Sequence, residues 1–153
     1  MTKLVGAAFI AFVLASFTFI KPADTEADKI QGTWLNQEGT SHIQIYKAIN
    51  GQFAGKFYGK IVWLKEPNEN GKPKVDKENP NKGSRGKGLI GLIILRDFKY
   101  DSDDKEWSGG TIYDPKNGKT YSSFMAMDGN KLNVRGYVGI SLLGRTAVWT
   151  RVK

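Results

Sequence analysis

Beyond residue 24, apolar side chains recur in short alternating or aromatic-rich runs, and glycine, proline, asparagine and aspartate separate these runs. Apolar residues at helical spacing are not found in this part of the chain. Alternation with a period of two indicates strands that are buried on one face, so we predict an all-β domain. The predicted strands span 32–36, 42–48, 52–64 (bent at Gly55 or Gly59), 89–100, 106–114, 119–127, 131–139 and 144–152.

The connections between the later strands are short and favour hairpins. The segments DPKNG (114–118) and DGN (128–130) supply asparagine or glycine for positive φ angles. Strands joined in this way form an up-and-down meander, and closing the meander removes its exposed edges. We therefore predict a small antiparallel up-and-down β-barrel of about eight strands, which has room for a packed core or one small ligand.

The first 23 residues differ from the rest of the chain. Lys3 precedes an uncharged apolar run at 4–20, and Lys21-Pro22 ends that run. A membrane anchor is the alternative, because the run has roughly the 17 residues that a spanning helix needs at least. Small and polar residues follow directly, so we predict a signal peptide over 1–23 and one domain over 24–153. The mature protein is then secreted or periplasmic and keeps no stable membrane span.

The chain is basic, with a net charge of +8. Without residues 1–23, which hold two lysines and no acid, 21 basic and 15 acidic side chains remain, a net charge of +6. Such a charge suits anionic lipid, acidic glycan or nucleic acid. Many of the basic residues stand among acids in segment 65–88, and this mixture favours an ordinary solvated surface. We expect no nucleic-acid partner.

Segment 65–88 is a long polar connection with three prolines. A connection longer than roughly 12–15 residues in a compact domain is usually functional or mobile. We consider two interpretations: a lid or recognition loop, and a tolerated surface excursion. The basic side chains that would carry recognition are Lys72, Lys74, Lys77, Lys82, Arg85 and Lys87.

Several enzyme signatures can be weighed against the sequence. Residues 85–92, RGKGLIGL, have the G-x-G-x-x-G spacing, but a polar loop precedes them and the β-branched run LIIL (92–95) follows. A dinucleotide site needs a strand before this turn and a helix after it, so we predict no such site. The chain has no cysteine and one histidine, His42, which argues against triads and against His- or Cys-based metal sites. We expect no cofactor, no metal and no catalysis.

Arginines alternate with aromatic residues in the last two strands. Alternation places Arg135 and Tyr137 on one face of their strand. Arg145, Trp149 and Arg151 share a face in the final strand, together with Ala147. A barrel brings its first and last strands together, so one of these arginines can lie over Trp34 as a cation–π contact that closes the barrel.

Gly32-Thr33-Trp34 resembles the G-x-W of the first lipocalin strand, on whose tryptophan an arginine of the last strand packs; Arg151 and Arg145 both fit that role. A longer series of motifs is similar, in order and spacing, to the bacterial family called domain of unknown function 2147. These motifs are GTWLN (32–36), GKIVWLKEP (59–67), GKPKVDKENPN (71–81), RGKGLIGLIIL (85–95), WSGGTIYDPKNGKTY (107–121) and VRGYVGISLLGRTAVWTR (134–151). The resemblance implies a short secreted protein with a lipocalin-like, or calycin, barrel, and it implies no established activity.

The loop departs from the family pattern N-P-D-P-x-L-R-x-R-P. Here Lys87 replaces the second arginine and Gly88 replaces the proline after it, while Pro80 and Arg85 are retained. Without that proline the loop is expected to be more flexible.

Two functions of different classes follow from these features. The first is binding of a small hydrophobic or amphipathic ligand in the barrel, with Tyr46, Trp63, Tyr113, Tyr121 and Tyr137 as contacts and Arg135 for a carboxylate or phosphate. The alternative is an envelope interaction protein with a filled barrel, whose basic loop, chiefly Lys82, Arg85 and Lys87, binds an anionic glycan, lipid or protein. An enzyme of unfamiliar design is a third and weaker interpretation.

Overall fold

The computed structural model describes residues 25–153, so the predicted signal peptide lies outside the described residues. Three short 3-10 turns occur at Glu26–Ile30, Gly51–Phe53 and Lys82–Ser84. The strands are β1 (Gly32–Leu35), β2 (Ser41–Lys47), β3 (Phe57–Leu64), β4 (Asn68–Glu69), β5 (Lys72–Pro73), β6 (Ile93–Asp101), β7 (Glu106–Asp114), β8 (Lys119–Asp128), β9 (Lys131–Tyr137) and β10 (Gly144–Arg151).

Eight of these strands form a closed antiparallel barrel in the order β1-β10-β9-β8-β7-β6-β3-β2, as the sequence predicts. The first and last strands close it through the pairs Trp34–Arg151 and Leu35–Thr150, and the Val152 N–H donates to the Thr33 carbonyl at 2.9 Å. No helix within residues 25–153 has the length and apolar character to cross a membrane.

Two local predictions were wrong. A single strand over 52–64 does not form: residues 51–53 make a 3-10 turn, Gly55 has a φ of 85°, and β3 begins only at Phe57. The polar segment 65–88 contains the small hairpin β4–β5, which turns at Asn70 and Gly71, both at positive φ. An Asn-Gly pair is a strong hairpin signal, but no strand was predicted between residues 64 and 89.

The connections divide the barrel into two ends. The loop end carries the β1–β2, β3–β6, β7–β8 and β9–β10 connections. The β3–β6 connection, residues 65–92, includes segment 65–88. The closed end carries the 3-10 turn Glu26–Ile30, the other three connections and the end of β10. At the closed end, Ile30 is fully buried, and the indole N–H groups of Trp34 and Trp107 donate to the carbonyls of Ile30 (2.9 Å) and Ala27 (3.1 Å).

Candidate functional site

The interior of the barrel is filled with side chains. Two inward-facing glycines lie so close to their neighbours that an added Cβ would stand 2.7 Å from Leu95 Cδ1 at Gly59 and 2.5 Å from the Phe98 ring at Gly110. Glycine at both positions is therefore a packing requirement. The core consists of Ile30, Trp34, Ile43, Ile45, Phe57, Ile61, Ile94, Leu95, Phe98, Trp107, Met125, Leu132, Val134 and Trp149.

The predicted ligand contacts of the second and third strands lie on the outer wall. Tyr46 follows the buried Ile45 and stacks on Tyr58 with ring centroids 6.1 Å apart. Trp63 is 40 % exposed and lies against His42 at 4.3 Å. Neither ring reaches the barrel interior.

The other four predicted contacts do not converge on one point. Tyr113 donates its hydroxyl proton to Asp76 of segment 65–88 at 2.7 Å. Tyr121 has an inward register near the loop end, and its hydroxyl accepts from the Asn117 amide at 3.1 Å. On the outer wall, Tyr137 lies 6.3 Å from the Phe124 ring.

Arg135 holds the β9–β10 connection instead of facing a ligand. Its guanidinium donates to the carbonyls of Ser141 (2.7 Å) and Leu142 (3.3 Å) and to the Thr146 hydroxyl (2.9 Å). The structure thus gives the six predicted contacts separate places and roles.

Of the two candidate arginines, Arg151 closes the barrel. Its guanidinium carbon lies 4.1 Å from the centre of the Trp34 ring, and its N–H groups donate to the carbonyls of Lys29 and Gln31. Trp149 is buried in the core on the same face of β10, whereas Arg145 is exposed at the other end of that strand. The register of the closing pair decides between the two arginines, because Trp34 stands opposite Arg151.

Segment 65–88 is fastened to the barrel by a buried carboxylate. Asp76 is fully buried and accepts from the Tyr113 hydroxyl and from the Asn79 amide, each at 2.7 Å. Burial, and then the hydrogen bond to Asp76, raise the pKa of Tyr113 to about 12. Lys82, Arg85 and Lys87 remain exposed, with the Arg85 Nε donating to the Asn79 carbonyl at 2.8 Å.

An open groove of about 470 Å³ lies at the closed end and combines aromatic and cationic residues. Its lining includes the partly exposed Tyr100 and the buried Phe57, and both rings pack on the buried Trp107, with centroids 4.9 and 6.4 Å away. Three lysines line the groove, Lys47, Lys56 and Lys99. We call this site the lysine groove.

Two of these lysines are held by carboxylates. Lys47 Nζ lies 3.1 Å from Asp28, and Lys56 Nζ lies 2.9 Å from Asp97. Hydrogen bonds from Tyr58 and Lys56 lower the pKa of Asp97. Burial tends to raise the pKa of Asp28, but hydrogen bonds from Thr25 and Lys47 outweigh burial and lower it. Both carboxylates are therefore ionised at neutral pH and fix the positions of the ammonium groups.

The third lysine has no such partner. Among residues 25–153, no carboxylate lies within 4.0 Å of Lys99 Nζ. Each lysine ammonium has three donors, so even Lys47 and Lys56 keep donors for a ligand. The arrangement can hold an anionic head group beside an aromatic surface.

A second open groove, of about 610 Å³, lies near the C-terminal end of β10. Its lining includes Asp28, Met127 and Arg151, and it contains no aromatic side chain. The Arg151 guanidinium is already engaged with two carbonyls and Trp34. This groove therefore has neither the aromatic ring nor the available cations that would bind an amphipathic anion in the lysine groove.

The acidic residues provide no obvious metal centre. Within residues 25–153, no group of three or more His, Cys, Asp or Glu side chains is arranged to hold a metal ion. The acidic cluster at 101–106 is a charged turn, in which the Asp101 carboxylate accepts from the backbone N–H of Asp103 at 2.9 Å. Glu66 and Glu69 pair with Lys74 and Lys77.

Comparison with known proteins agrees with this architecture. Protein HP1028 from the human pathogen Helicobacter pylori, described as belonging to the lipocalin family, has a similar structure with a TM-score of 0.69. The two chains are 24% identical over 82% of this chain and 84% of that one, so the likeness shows the fold. No curated protein sequence matches the chain.

The family model described as "Uncharacterized protein conserved in bacteria (DUF2147)" matches residues 32–151. This match covers β1 through β10, including segment 65–88 and both closing strands. The chain therefore belongs to the bacterial DUF2147 family, and its fold is a lipocalin-like barrel.

Proposed function

We propose that this protein binds a small amphipathic anion non-covalently in the lysine groove, without catalysis. A lipocalin-like barrel suggests small-ligand binding, and the family description gives no more specific activity. The ligand we infer has an apolar portion that packs against the partly exposed Tyr100 ring and a carboxylate or phosphate that binds Lys99. As the predicted signal peptide implies, binding takes place in the cell envelope.

The observation that carries this proposal is the combination of the partly exposed Tyr100 ring with three lysines in one groove. About 470 Å³ is within the range of roughly 300–1,000 Å³ that small-molecule sites occupy. Bonds to charged donors orient the anion, while contact with the aromatic ring supplies affinity. The filled interior supports the outer groove over the lumen, because a ligand inside would have to displace core side chains.

The absence of catalysis is part of the proposal. His42 lies against Trp63 on the outer wall, away from the lysine groove. The carboxylates that pair with the groove lysines, Asp28 and Asp97, have lowered pKa values, so they are poor general acids at neutral pH. These features favour binding over proton transfer.

Isothermal titration with dodecyl phosphate, below its micelle concentration, tests the site. Lys99→Glu replaces an attraction with a repulsion, so we expect affinity to fall about tenfold, or about 1.4 kcal/mol. Lys116→Glu is the matched control, because Lys116 is an exposed lysine in the β7–β8 turn at the other end of the barrel. Equal losses in both variants, or no binding to the wild-type protein, would rule out the lysine groove.

Native mass spectrometry of protein purified from its own host envelope tests the broader function. A stoichiometric small molecule that is released on denaturation supports ligand binding and identifies the ligand's class. If that molecule also copurifies with the Lys99→Glu protein at undiminished occupancy, binding is real but takes place elsewhere on the barrel.

A further inference from the structure

The connection between β9 and β10 exposes aliphatic side chains at the loop end. Residues 138–143, VGISLL, contain no charged group, and we call them the apolar tip. The exposed fractions are 66% for Val138, 58% for Ile140, 83% for Leu142 and 71% for Leu143. Isolated exposed aliphatic residues are ordinary, but four within six positions form a patch of the kind that marks an interaction site.

The apolar tip has a defined conformation. The Leu143 N–H donates to the Ile140 carbonyl at 3.0 Å, and Gly139 supplies a φ of 74° for the turn. The Arg135 side chain, on β9, donates hydrogen bonds to the carbonyls of Ser141 and Leu142. These bonds hold the backbone so that the aliphatic side chains project outward instead of folding back onto the barrel.

The same end of the barrel carries basic side chains without acidic partners. Among the described residues, no carboxylate lies within 4.0 Å of the side-chain nitrogens of Lys65, Lys72, Lys82, Lys87 or Arg145. All five residues are exposed and belong to the connections or strand ends of the loop end. The loop end therefore carries both the apolar tip and these five basic side chains.

We propose that the loop end docks on an anionic lipid bilayer, with the apolar tip entering the interface and the basic residues meeting lipid phosphates. Exposed aliphatic side chains and basic side chains at one end of the barrel match the two attractions that hold peripheral proteins on such surfaces. A second copy packed tip to tip would instead bring its own basic residues against these. This docking is independent of the lysine groove, which lies at the opposite end.

A fluorescent label on the apolar tip tests insertion directly. The sequence has no cysteine, so Leu142→Cys gives one attachment point for an environment-sensitive dye. With vesicles of phosphatidylcholine containing about a third phosphatidylglycerol, we expect a blue shift and a several-fold rise in emission. Ile49→Cys is the matched control, because Ile49 is 81% exposed at the closed end; its label should not respond. Equal responses at both positions would overturn the proposal.

Vesicle flotation of the mature protein, without the predicted signal peptide and its apolar run, then tests affinity. Leu142→Ser with Leu143→Ser should weaken partitioning about tenfold or more, because two aliphatic contacts are lost. Ile49→Ser should leave partitioning unchanged. The triple change of Lys82, Arg85 and Lys87 to alanine should weaken binding and flatten its salt dependence. The proposal would be contradicted if the wild-type protein did not bind anionic vesicles, or if the double serine variant bound them as strongly as the wild type.

Discussion

The two ends of this barrel are stabilised by different means. At the closed end, large rings are buried and their polar atoms are satisfied locally, as in Trp34 with the Ile30 carbonyl and the Arg151 guanidinium. At the loop end, a long polar segment is held by one buried carboxylate, Asp76, and an apolar tip stays in solvent. Burial of apolar side chains therefore stabilises the closed end, whereas a few hydrogen bonds stabilise the loop end.

Replacing Trp34 with alanine should cause the largest loss of stability. The ring is fully buried beneath Arg151, so we expect Trp34→Ala to lower the free energy of unfolding by about 3–5 kcal/mol in urea denaturation. Trp63→Ala, at the more exposed tryptophan on β3, is the matched control and should cost about 1 kcal/mol. Similar losses for the two variants would show that the closed end does not dominate stability.

Replacing Asp76 with alanine should loosen the loop end. The change leaves the Tyr113 hydroxyl and the Asn79 amide without their acceptor, at a cost of about 2 kcal/mol. Hydrogen exchange should quicken mainly over 74–89, while the closed end keeps its protection. Asp103→Ala, in the exposed β6–β7 turn, should change neither measurement. Uniformly faster exchange after the Asp76 change would mean that the two ends unfold together.

Arg151→Ala should be less damaging, at about 1–2 kcal/mol. It removes the cation–π contact with Trp34 and the two bonds to carbonyls at the N-terminal turn. Arg145→Ala should change the free energy of unfolding by less than about 0.5 kcal/mol, since Arg145 is an exposed surface residue. Equal thermal shifts for the two variants would contradict the role assigned to Arg151.

The raised pKa values of two tyrosines should affect stability only at alkaline pH, so this effect is the smallest at neutral pH. Burial, followed by hydrogen bonds to Asp97 and Asp76, raises the pKa of Tyr58 and Tyr113 to about 12. An unfolded tyrosine titrates near 10, so this stabilisation is complete below about pH 10 and is lost as pH rises towards 12. Absorbance titration should show two of the six tyrosines ionising late. Tyr58→Phe and Tyr113→Phe should each remove one of the two late-ionising tyrosines from the titration. If either variant still shows two, the late ionisation does not belong to the residue that was replaced.

Much of the fold could be predicted because its signals are local. Alternation and turn residues located the barrel strands to within a few positions, and the G-x-W motif identified Trp34 as a closing residue. The candidate site could not be predicted in the same way. Lys47 and Lys56 flank the β2–β3 connection, whereas Lys99 lies far from them in the sequence, on β6. The sequence does not distinguish Lys99 from other exposed strand lysines, and only the pairing of β6 with β3 brings the three together.

The six ligand contacts chosen from sequence show the same limit. Aromatic and basic side chains can be recognised as chemically useful, but alternation does not show which face of a strand lies inward when both faces carry rings. In β2 the buried positions are Ile43 and Ile45, which places Tyr46 on the outer wall. Arg135 holds the apolar tip through carbonyls six and seven residues away, a role that depends on the shape of the β9–β10 connection.

The sequence alone determined the class of the fold, the order of the barrel strands and the family, because periodicity, turn chemistry and motif spacing are properties of neighbouring residues. Tertiary structure decided that the interior is filled, that Arg151 rather than Arg145 covers Trp34, and that a lysine groove and an apolar tip occupy opposite ends. These outcomes depend on strand register and on packing between distant segments. A shift of one residue in a strand reverses the face on which every side chain lies.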